Sequence, residues 1–256
     1  MTVAVVTGAG RGLGRGIAMA LAAAGHDLVL GWHHDEASVL ETASGAAGHG
    51  VTAIAVQGDV SDPDTSSRLA AAGAEMSGGV DVWVNNAGIS VLAPLIGTTT
   101  ADMERMMAVN FSGTFHGMQA AAVVMRDAGR RGRIINVASD LGLQAAPLLA
   151  CYSATKFAVV GLTQAAAVEL GPLGITVNAV CPGTVETDMV AREQLAEARL
   201  TGTSVGDVRS RLRADVPAGR LCTVADVAAL VGFLASPAAE FVTGQAICTN
   251  GGSIRH

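Results

Sequence analysis

The chain has 256 residues, of which 50% are hydrophobic and 15% are charged, so it is long enough to bury a large core. Its formal net charge of -6 argues against general nucleic-acid binding. No apolar run reaches the ~18 residues that a transmembrane helix requires. The N-terminus lacks the basic segment of a signal peptide, and the four cysteines are too widely separated for a disulfide or metal motif. We therefore expect a cytoplasmic protein with reduced thiols and with neither a membrane nor a nucleic-acid partner.

Short β-branched runs alternate with longer helical segments along the sequence. Strands are predicted at residues 3–6, 28–31, 51–56, 80–84, 133–137, 175–180 and 245–248, and helices at residues 12–24, 36–47, 62–76, 101–127, 152–170 and 224–234. The strands are apolar throughout, which is typical of a parallel sheet covered by helices on both faces. The pattern predicts one α/β domain over residues 1–256, with a doubly wound, Rossmann-type parallel sheet of about seven strands. Ligands of such sheets bind beyond the carboxyl ends of the strands.

Residues 184–218 interrupt this alternation. The segment is polar, rich in arginine and longer than an ordinary connection between a strand and a helix. We interpret it as a mobile lid over the ligand site, with a simple surface excursion as the alternative.

A glycine-rich segment follows the first predicted strand. Gly8, Gly10, Gly12 and Gly14 lie between that strand and the first helix. Glycines at such a turn let the backbone approach a pyrophosphate, which rests on the helix N-terminus. Leu13 occupies the third glycine position of the standard G-x-G-x-x-G spacing, but the place of the segment in the fold indicates the same function.

The residues after the second strand indicate which dinucleotide binds. A carboxylate at this point typically binds the ribose of NAD, but the strand is followed by Trp32, His33 and His34, and the first acid is Asp35. Arg11 and His33 are candidates to hold the 2′-phosphate of NADP, and Trp32 is a candidate to pack against the adenine. We therefore expect NADP(H) to be favoured over NAD(H), with a return of Asp35 to the ribose as the alternative. No histidine pair has metal-ligand spacing with a second cluster, so no catalytic metal is expected.

The sequence contains one tyrosine and one lysine, Tyr152 and Lys156, which are four positions apart. On a helix, side chains at this spacing share a face. A free tyrosine has a pKa of about 10, and a nearby positive charge favours the phenolate and lowers that pKa. The pair therefore predicts a tuned proton donor and acceptor.

These motifs occur in the order and at the spacing of the short-chain dehydrogenase/reductase family, which the chain resembles over nearly its whole length. The matching segments are the glycine loop, Gly58-Asp59-Val60, Asn86-Ala87-Gly88, Asn110, Ser139 ahead of Tyr152, and Pro182-Gly183 followed by Thr187. Asn250-Gly251-Gly252 stands where the family commonly has Asp-Gly-Gly.

The resemblance implies an oxidoreductase that interconverts a ketone and a secondary alcohol. Tyr152 would exchange a proton with the substrate oxygen, and Ser139 would stabilise the developing oxyanion. Lys156 would lower the tyrosine pKa and bind the nicotinamide ribose, and Asn110 would hold a water that connects Lys156 to solvent. The full set of expected cofactor-binding residues is Gly8, Gly10, Arg11, Gly12, Leu13, Gly14, Trp32, His33, Asp59, Val60, Asn86, Ala87, Gly88, Tyr152, Lys156, Pro182, Gly183, Val185 and Thr187.

The substrate is less well defined by the sequence. Asp140 and Gln144 are candidate polar anchors in a mostly apolar pocket, and Met189 is a candidate lid contact. Different segments resemble the acetoin/butanediol and polyol dehydrogenases, which often use NAD, and the 3-oxoacyl-carrier-protein and polyketide ketoreductases. A non-catalytic NADP-binding sensor is a further alternative, since fold does not fix function. The apolar outward faces of helices 101–127 and 152–170 predict a homo-oligomer, either a dimer or a tetramer.

Overall fold

The computed structural model describes residues 2–255, and seven strands in this range form one parallel sheet. The strands are β1 (Thr2–Val6), β2 (His26–Trp32), β3 (Ala53–Gln57), β4 (Val82–Asn85), β5 (Arg133–Val137), β6 (Thr176–Pro182) and β7 (Ala246–Thr249). The longer helices are α1 (Gly12–Ala23), α2 (Glu36–Ala47), α3 (Pro63–Ser77), α4 (Thr100–Met106), α5 (Gly113–Asp127), α6 (Ala150–Leu170), α7 (Asp188–Thr201), α8 (Val205–Ala214) and α9 (Val224–Ala235). The strand order is β3-β2-β1-β4-β5-β6-β7, which confirms the predicted doubly wound α/β fold.

The alternation of side chains along each strand builds a core on both faces of the sheet. In β1, Ala4 and Val6 belong to a cluster covered by α1, α2 and α9. Val3 and Val5 belong to the opposite cluster, which is covered by α3, α5 and α6. Both sets must be apolar because successive side chains of a strand point to opposite faces. This explains why the strands read as continuous apolar runs in the sequence.

The strand order reverses between β1 and β4, and the loops that follow these strands meet at the carboxyl edge of the sheet. The chain passes from β1 to β2 and β3 on one side, and then continues through β4 to β7 on the other. A crevice at such a reversal is the general ligand site of open α/β sheets. The fold therefore brings together residues that follow β1, β4, β5 and β6.

The long helix predicted at residues 101–127 is not uniform. A π-helical turn, Met107–Ser112, separates α4 from α5, and Asn110 lies within it. Such turns carry one extra residue in a helical turn and occur frequently at functional sites. The hydrophobic pattern alone predicted a continuous helix, because a π turn changes the backbone hydrogen bonding without a change of residue type.

The segment 184–218 contains two helices, α7 and α8. Gly202 ends α7 in the left-handed conformation, with φ 69, and Ser204 and Asp207 form a capping box at the start of α8. An ion pair between Glu197 on α7 and Arg211 on α8 joins the two helices. Between residues 2 and 255, no helix has the length and apolar character needed to cross a membrane.

A row of buried polar groups links the two central strands to α6. Trp83 Nε1 donates to Asn85 Oδ1 (2.8 Å), Asn85 Nδ2 donates to Asn136 Oδ1 (2.8 Å), and Asn136 Nδ2 donates to Thr163 Oγ1 (2.9 Å). All four side chains are buried. Because an unmade hydrogen bond is costly in such a place, the row fixes how α6 lies on the sheet.

Removal of one hydroxyl tests how much this row contributes to the free energy of unfolding. Thr163→Val keeps the side-chain shape but takes away the oxygen partner of Asn136 Nδ2, so we expect the free energy of unfolding to fall by about 1–3 kcal/mol. Thr201→Val is the matched control, because Thr201 Oγ1 also donates to the carbonyl four residues earlier but is exposed. There the change should stay below about 0.5 kcal/mol in urea unfolding at fixed protein concentration. Equal losses in the two variants would contradict a special role for the buried row.

Candidate active site

The glycine loop after β1 is fixed to the loop after β4. Asn86 Nδ2 donates to Thr7 O at 2.9 Å, and the backbone N–H groups of Asn86 and Ala87 donate to Thr7 Oγ1 at 2.9 and 3.0 Å. A Cβ atom at Gly14 would lie 2.1 Å from Gly8 O, so α1 can approach the loop this closely only with glycine at position 14. The loops therefore form a tight, preformed cradle at the strand reversal.

The cradle has the features that a dinucleotide pyrophosphate requires. Arg11 is the N-cap of α1, makes no capping hydrogen bond through its side chain, and no acidic residue lies in the first turn. The first N–H groups of α1 therefore have no side-chain cap and can bind an anion. A Cβ atom at Gly12 would lie 3.6 Å from Thr187 Cγ2, so the loop after β6 reaches the same cradle. The residues present fit a dinucleotide. Leu13, by contrast, packs against the core beneath α1.

The end of β2 presents histidines rather than an available carboxylate. Asp35 caps α2, with its carboxylate accepting from Ser38 N at 3.1 Å and Ser38 Oγ at 2.6 Å. These bonds hold the pKa of Asp35 below its usual value. The half-exposed His33 stacks on His34, with ring centroids 3.6 Å apart, while Trp32 packs against the core cluster under the sheet. The expected contact of Trp32 with adenine stays a prediction.

Asp59 and Val60 lie beside these histidines. Asp59 Oδ2 is 4.0 Å from His33 Nδ1, and Asp59 Oδ1 accepts from Ser61 N and Oγ at 2.9 and 2.8 Å. Partial burial opposes ionisation of Asp59, but the Ser61 bonds and the histidines outweigh it and lower the pKa. Val60 packs closely on Gly113 at the start of α5, where a Cβ would lie 2.7 Å from Val60 Cγ2. The segment after β3 thus forms one wall of the crevice.

Asn110 connects three parts of the site through its fully buried side chain. Oδ1 accepts from Ile89 N at 2.8 Å, and Nδ2 donates to Ile89 O at 2.9 Å and to Thr155 Oγ1 at 3.1 Å. A Cβ at Gly88 would lie 3.3 Å from Asn110 Oδ1 and 3.7 Å from Lys156 Nζ. The side chain therefore fixes the loop after β4 against α6. The expected water-holding role of Asn110 stays a prediction.

Ser139 and Asp140 follow β5 and are both buried. Ser139 Oγ accepts from Leu141 N at 3.1 Å and donates to Asp140 Oδ1 over a long 3.3 Å. Burial raises the pKa of the Asp140 carboxyl to about 6, despite the hydrogen bonds it receives. A Cβ at Gly183 would lie 3.3 Å from Asp140 Oδ2, which brings the loop after β6 to the same point.

Tyr152 and Lys156 lie one turn apart on α6, as predicted. Lys156 Nζ is 5.6 Å from the centroid of the Tyr152 ring and donates to Val137 O at 2.9 Å. Lys156 is buried, and burial lowers the pKa of its ammonium to about 8. The Ser139 hydroxyl lies close enough to Tyr152 to lower the pKa of the phenol. The structure thus brings Ser139, Tyr152 and Lys156 together at the carboxyl end of β5.

The direction of the Tyr152 pKa shift is the reverse of the sequence expectation. Burial raises the pKa of Tyr152, and the carboxylates of Glu193 and Asp140 raise it further. Lys156 does not reverse the shift, because its ammonium is bonded to the carbonyl of Val137 rather than to the phenol oxygen. Within this chain, Tyr152 therefore keeps its proton at neutral pH.

The other predicted residues fall into two groups. Pro182 ends β6, Gly183 N donates to Thr249 O at 3.2 Å, and the buried Val185 forms a bridge to Cys222 that anchors the loop after β6. The predicted substrate residues differ from one another. Met189 is half-buried at the start of α7, whereas Gln144 is exposed and makes no side-chain hydrogen bond within residues 2–255.

Sequence reasoning missed Glu193, whose charge acts on the phenol, and Ser90, which lies beside Glu193. Glu193 lies on α7 and is close enough to raise the pKa of Tyr152. Ser90 follows the loop that Asn110 fixes, and its Oγ is buried without a hydrogen-bond partner in the described range. The available signal was helical spacing, because Glu193 lies four positions after the predicted lid residue Met189.

The parallel sheet, the glycine cradle and the tyrosine–lysine face define an oxidoreductase of the Rossmann-type α/β class. The profile described as "short chain dehydrogenase" matches residues 2–198, so the chain belongs to the short-chain dehydrogenase/reductase family. It is an enzyme of this family, whose members use NAD(P) and act on CH–OH and C=O groups.

Several similar proteins cover almost the whole chain. An L-2,3-butanediol dehydrogenase of Corynebacterium glutamicum is 41% identical over 98% of this chain and 98% of its own length. A diacetyl reductase [(S)-acetoin forming] of Staphylococcus epidermidis is 38% identical, with 98% of each chain covered. The crystal structure of a dehydrogenase/reductase from Sinorhizobium meliloti 1021 has a TM-score of 0.89 and 36% identity, and the match covers 99% of this chain and 95% of that one.

The buried ammonium of Lys156 should leave a signature in the pH dependence of stability. Its pKa is lowered from 10.5 to about 8 in the folded chain, so the unfolded chain binds more protons between these values. Folding stability should therefore rise with pH across this window, and the cost of burying the charge, about 3 kcal/mol, is fully present below pH ~8.

Lys156→Met removes this titration. Between pH 7.5 and 10.5, the free energy of unfolding of the native chain should rise by about 3 kcal/mol relative to that of the variant. Denaturant titrations at several pH values measure it. Parallel pH curves for the two proteins would contradict a buried, charged Lys156.

Proposed function

We propose that the protein is an NADP(H)-dependent oxidoreductase that interconverts a ketone and a secondary alcohol, with Tyr152 as the proton donor and acceptor. The observation that carries the proposal is the nearness of Ser139 and Lys156 to Tyr152 beside the glycine cradle. Membership of the family and the names of its relatives support the reaction class.

The chain's own groups perform the proton transfer in this proposal. A bound nicotinamide dinucleotide supplies the hydride for reduction and accepts it in oxidation. Because burial keeps Tyr152 protonated at neutral pH, the phenol can donate its proton to the carbonyl oxygen of the substrate. Ser139 donates a hydrogen bond to the same oxygen, a contribution typically of about 3 kcal/mol, after giving up its long bond to Asp140. Both hydroxyls are therefore available as donors to the substrate oxygen in the reducing direction.

Lys156 provides the positive charge of the site. In the oxidising direction Tyr152 must become a phenolate, and an ammonium nearby stabilises that form. The bond to Val137 O fixes the lysine while two of its N–H groups remain for other acceptors. The family resemblance implies that the ribose of the cofactor is one of them.

Three observations support a preference for NADP(H). Asp35, the first acid after β2, is bound to Ser38 as the cap of α2. His33 is half-exposed at the end of β2, and Arg11 lies close enough to Asp35 to lower its pKa. A 2′-phosphate would thus meet cationic groups, whereas an NAD ribose would find no unoccupied carboxylate directly after the strand.

Two substrate classes remain as candidates within the reaction. The names of the butanediol dehydrogenase and diacetyl reductase relatives support small ketones and alcohols as substrates. A ketoreductase for 3-oxoacyl or polyketide thioesters is the alternative. The non-catalytic sensor is disfavoured, because Asn110, Ser139, Tyr152 and Lys156 are all present in one site.

We further propose that residues 184–218 act as a lid and that the protein is a cytoplasmic homo-oligomer. The exposed side chains of Phe115 and Val123 on α5 and of Phe157 and Val168 on α6 support self-association through these helices. All four cysteines are free thiols, as is usual in a reducing compartment.

Tyr152→Phe tests the proton-transfer role. The variant lacks only the hydroxyl, so we expect it to bind NADPH nearly as well as the native protein but to lose turnover by a factor of about 10³ or more. Fluorescence titration of NADPH and its oxidation in the presence of diacetyl measure the two properties. Substantial activity in a folded variant would remove Tyr152 from the mechanism.

His33→Asp tests the cofactor preference. A carboxylate at the end of β2 should repel a 2′-phosphate and bind a ribose, so the ratio of kcat/KM for NADPH to that for NADH should fall by about tenfold or more. His49→Asp is the charge-matched control, since His49 is exposed after α2, away from the carboxyl edge of the sheet. Unchanged ratios in both variants would mean that His33 does not contact the adenosine half of the cofactor.

A further inference from the structure

Helix α7 brings an acidic side chain to the substrate side of Tyr152. Met189 and Glu193 are four residues apart and share one face of the helix, and the adjoining positions Gln194 and Ala198 are buried. Glu193 itself is partly buried, which is uncommon for a carboxylate without an ion-pair partner. Burial raises its pKa. The inner face of α7 is therefore not purely apolar where it approaches the site.

The next acid on this helix shows what an ordinary structural carboxylate does. Glu197, one turn after Glu193, is paired with Arg211 of α8. Glu193 forms no ion pair with any residue from 2 to 255, and the charges that act on it are those of the adjacent Arg192 and of Glu197. The two carboxylates lie on one helix face but have different partners. Glu193 does not hold the two lid helices together.

Ser90, on the loop after β4, lies beside Glu193. The Oγ atom of Ser90 is buried and makes no hydrogen bond of normal geometry in the described part of the chain. It lies near enough to Glu193 to lower the pKa of that carboxyl. Asn110 holds both the N–H and the carbonyl of Ile89, the preceding residue, so the position of Ser90 is fixed. A buried hydroxyl and a carboxylate without an ion-pair partner thus lie side by side, and both can bind a polar group of a ligand.

Two carboxyl groups from different elements are close enough to the phenol of Tyr152 for their charges to act on it. Asp140, after β5, and Glu193, on α7, both raise its pKa. A substrate whose reacting oxygen is at Tyr152 therefore has its neighbouring substituent on the side of these carboxyls, and Ser90 lies beside one of them. Carboxylates accept hydrogen bonds from hydroxyl groups strongly, and they disfavour anionic substituents.

We propose that Glu193, together with Ser90, is a specificity-determining residue that binds a hydroxyl group on the carbon next to the reacting carbon. The preferred substrates are then small, neutral α-hydroxyketones and vicinal diols. The inference rests on the proposed function, because it assigns a second contact to the substrate of that reaction.

A pair of probes that differ by one hydroxyl tests the assignment. Reduction of 3-hydroxybutan-2-one and of butan-2-one with NADPH gives the ratio of kcat/KM for the two ketones. The native protein should prefer the hydroxyketone. Glu193→Leu should lower kcat/KM for the hydroxyketone by about 10- to 100-fold, because this substrate loses a hydrogen bond to a charged group. The kcat/KM for butan-2-one should change by less than about threefold, because this ketone has no hydroxyl to bind.

Two controls separate substrate contact from an effect on the lid. Glu197→Leu removes the neighbouring acid and its ion pair with Arg211. Any change in kcat/KM that it causes should therefore be the same for the two ketones. Glu193→Gln keeps the shape and can still accept a hydrogen bond, so it should retain part of the preference. Thermal unfolding of each variant verifies that it is folded.

The pH profile of alcohol oxidation provides an independent readout. Tyr152 must lose its proton to act as a base, and the groups that act on it are Glu193, Asp140 and Ser139, with Lys156 across the ring. Because Glu193→Gln removes one negative charge, the pKa of the phenol should fall. The acidic limb of kcat/KM for butane-2,3-diol should move to lower pH. An unmoved limb would show that the charge of Glu193 does not reach the phenol, which would contradict its place beside the reacting oxygen.

The outcomes distinguish failure of the proposed function from failure of the Glu193 assignment. If folded native protein turns over neither ketone and neither alcohol, the proposed function fails, and the assignment of Glu193 fails with it. If turnover is present but Glu193→Leu lowers both ketones equally, or if the native protein shows no preference for the hydroxyl, the proposed function stands and the role of Glu193 is wrong.

Discussion

The side-chain amide of Asn110 is the contact on which the geometry of the site depends. Through Ile89 it fixes the loop after β4, and through Thr155 it fixes the first turns of α6, where Tyr152 and Lys156 lie. The π turn places this asparagine at full burial between the loop and the helix. Since the same loop also clamps the glycine cradle through Asn86, the cofactor side and the proton-transfer side share one support.

Burial of ionisable groups sets the electrostatics of the site. Lys156, Asp140 and Tyr152 all have pKa values displaced toward their neutral forms. Burial of these groups costs free energy. The apolar clusters on both faces of the sheet and the hydrogen-bonded row from Trp83 to Thr163 stabilise the chain and offset that cost. A substrate or cofactor group that enters such an environment interacts more strongly with these charges than it would in water. The same burial destabilises the chain and prepares it for chemistry.

Features that depend on residues close together in the sequence were predicted correctly. The order of strands and helices followed from apolar periodicity, the glycine cradle from its place after β1, and the shared face of Tyr152 and Lys156 from helical spacing. The π turn at Asn110 was not predictable, since it depends on packing against α6 and on the loop after β4. The direction of the Tyr152 pKa shift was predicted wrongly, because a pairwise view counted the lysine and omitted both burial and the acids. Glu193 was missed for the same reason. It is 41 positions from Tyr152 in the chain and reaches the phenol only through the fold.

The contrast between Glu193 and Glu197 bears on how the segment 184–218 works. The bonds that hold α7 and α8 in position, Glu197 with Arg211 and Glu186 with Arg209, involve exposed arginines and are therefore weak and screened by salt. A hydroxyl bound by Glu193 and Ser90 at once would join α7 to the rigid loop after β4. In our proposal, binding of a hydroxyl-bearing substrate therefore favours the closed position of the lid, and the residue that recognises the substrate also couples recognition to closure.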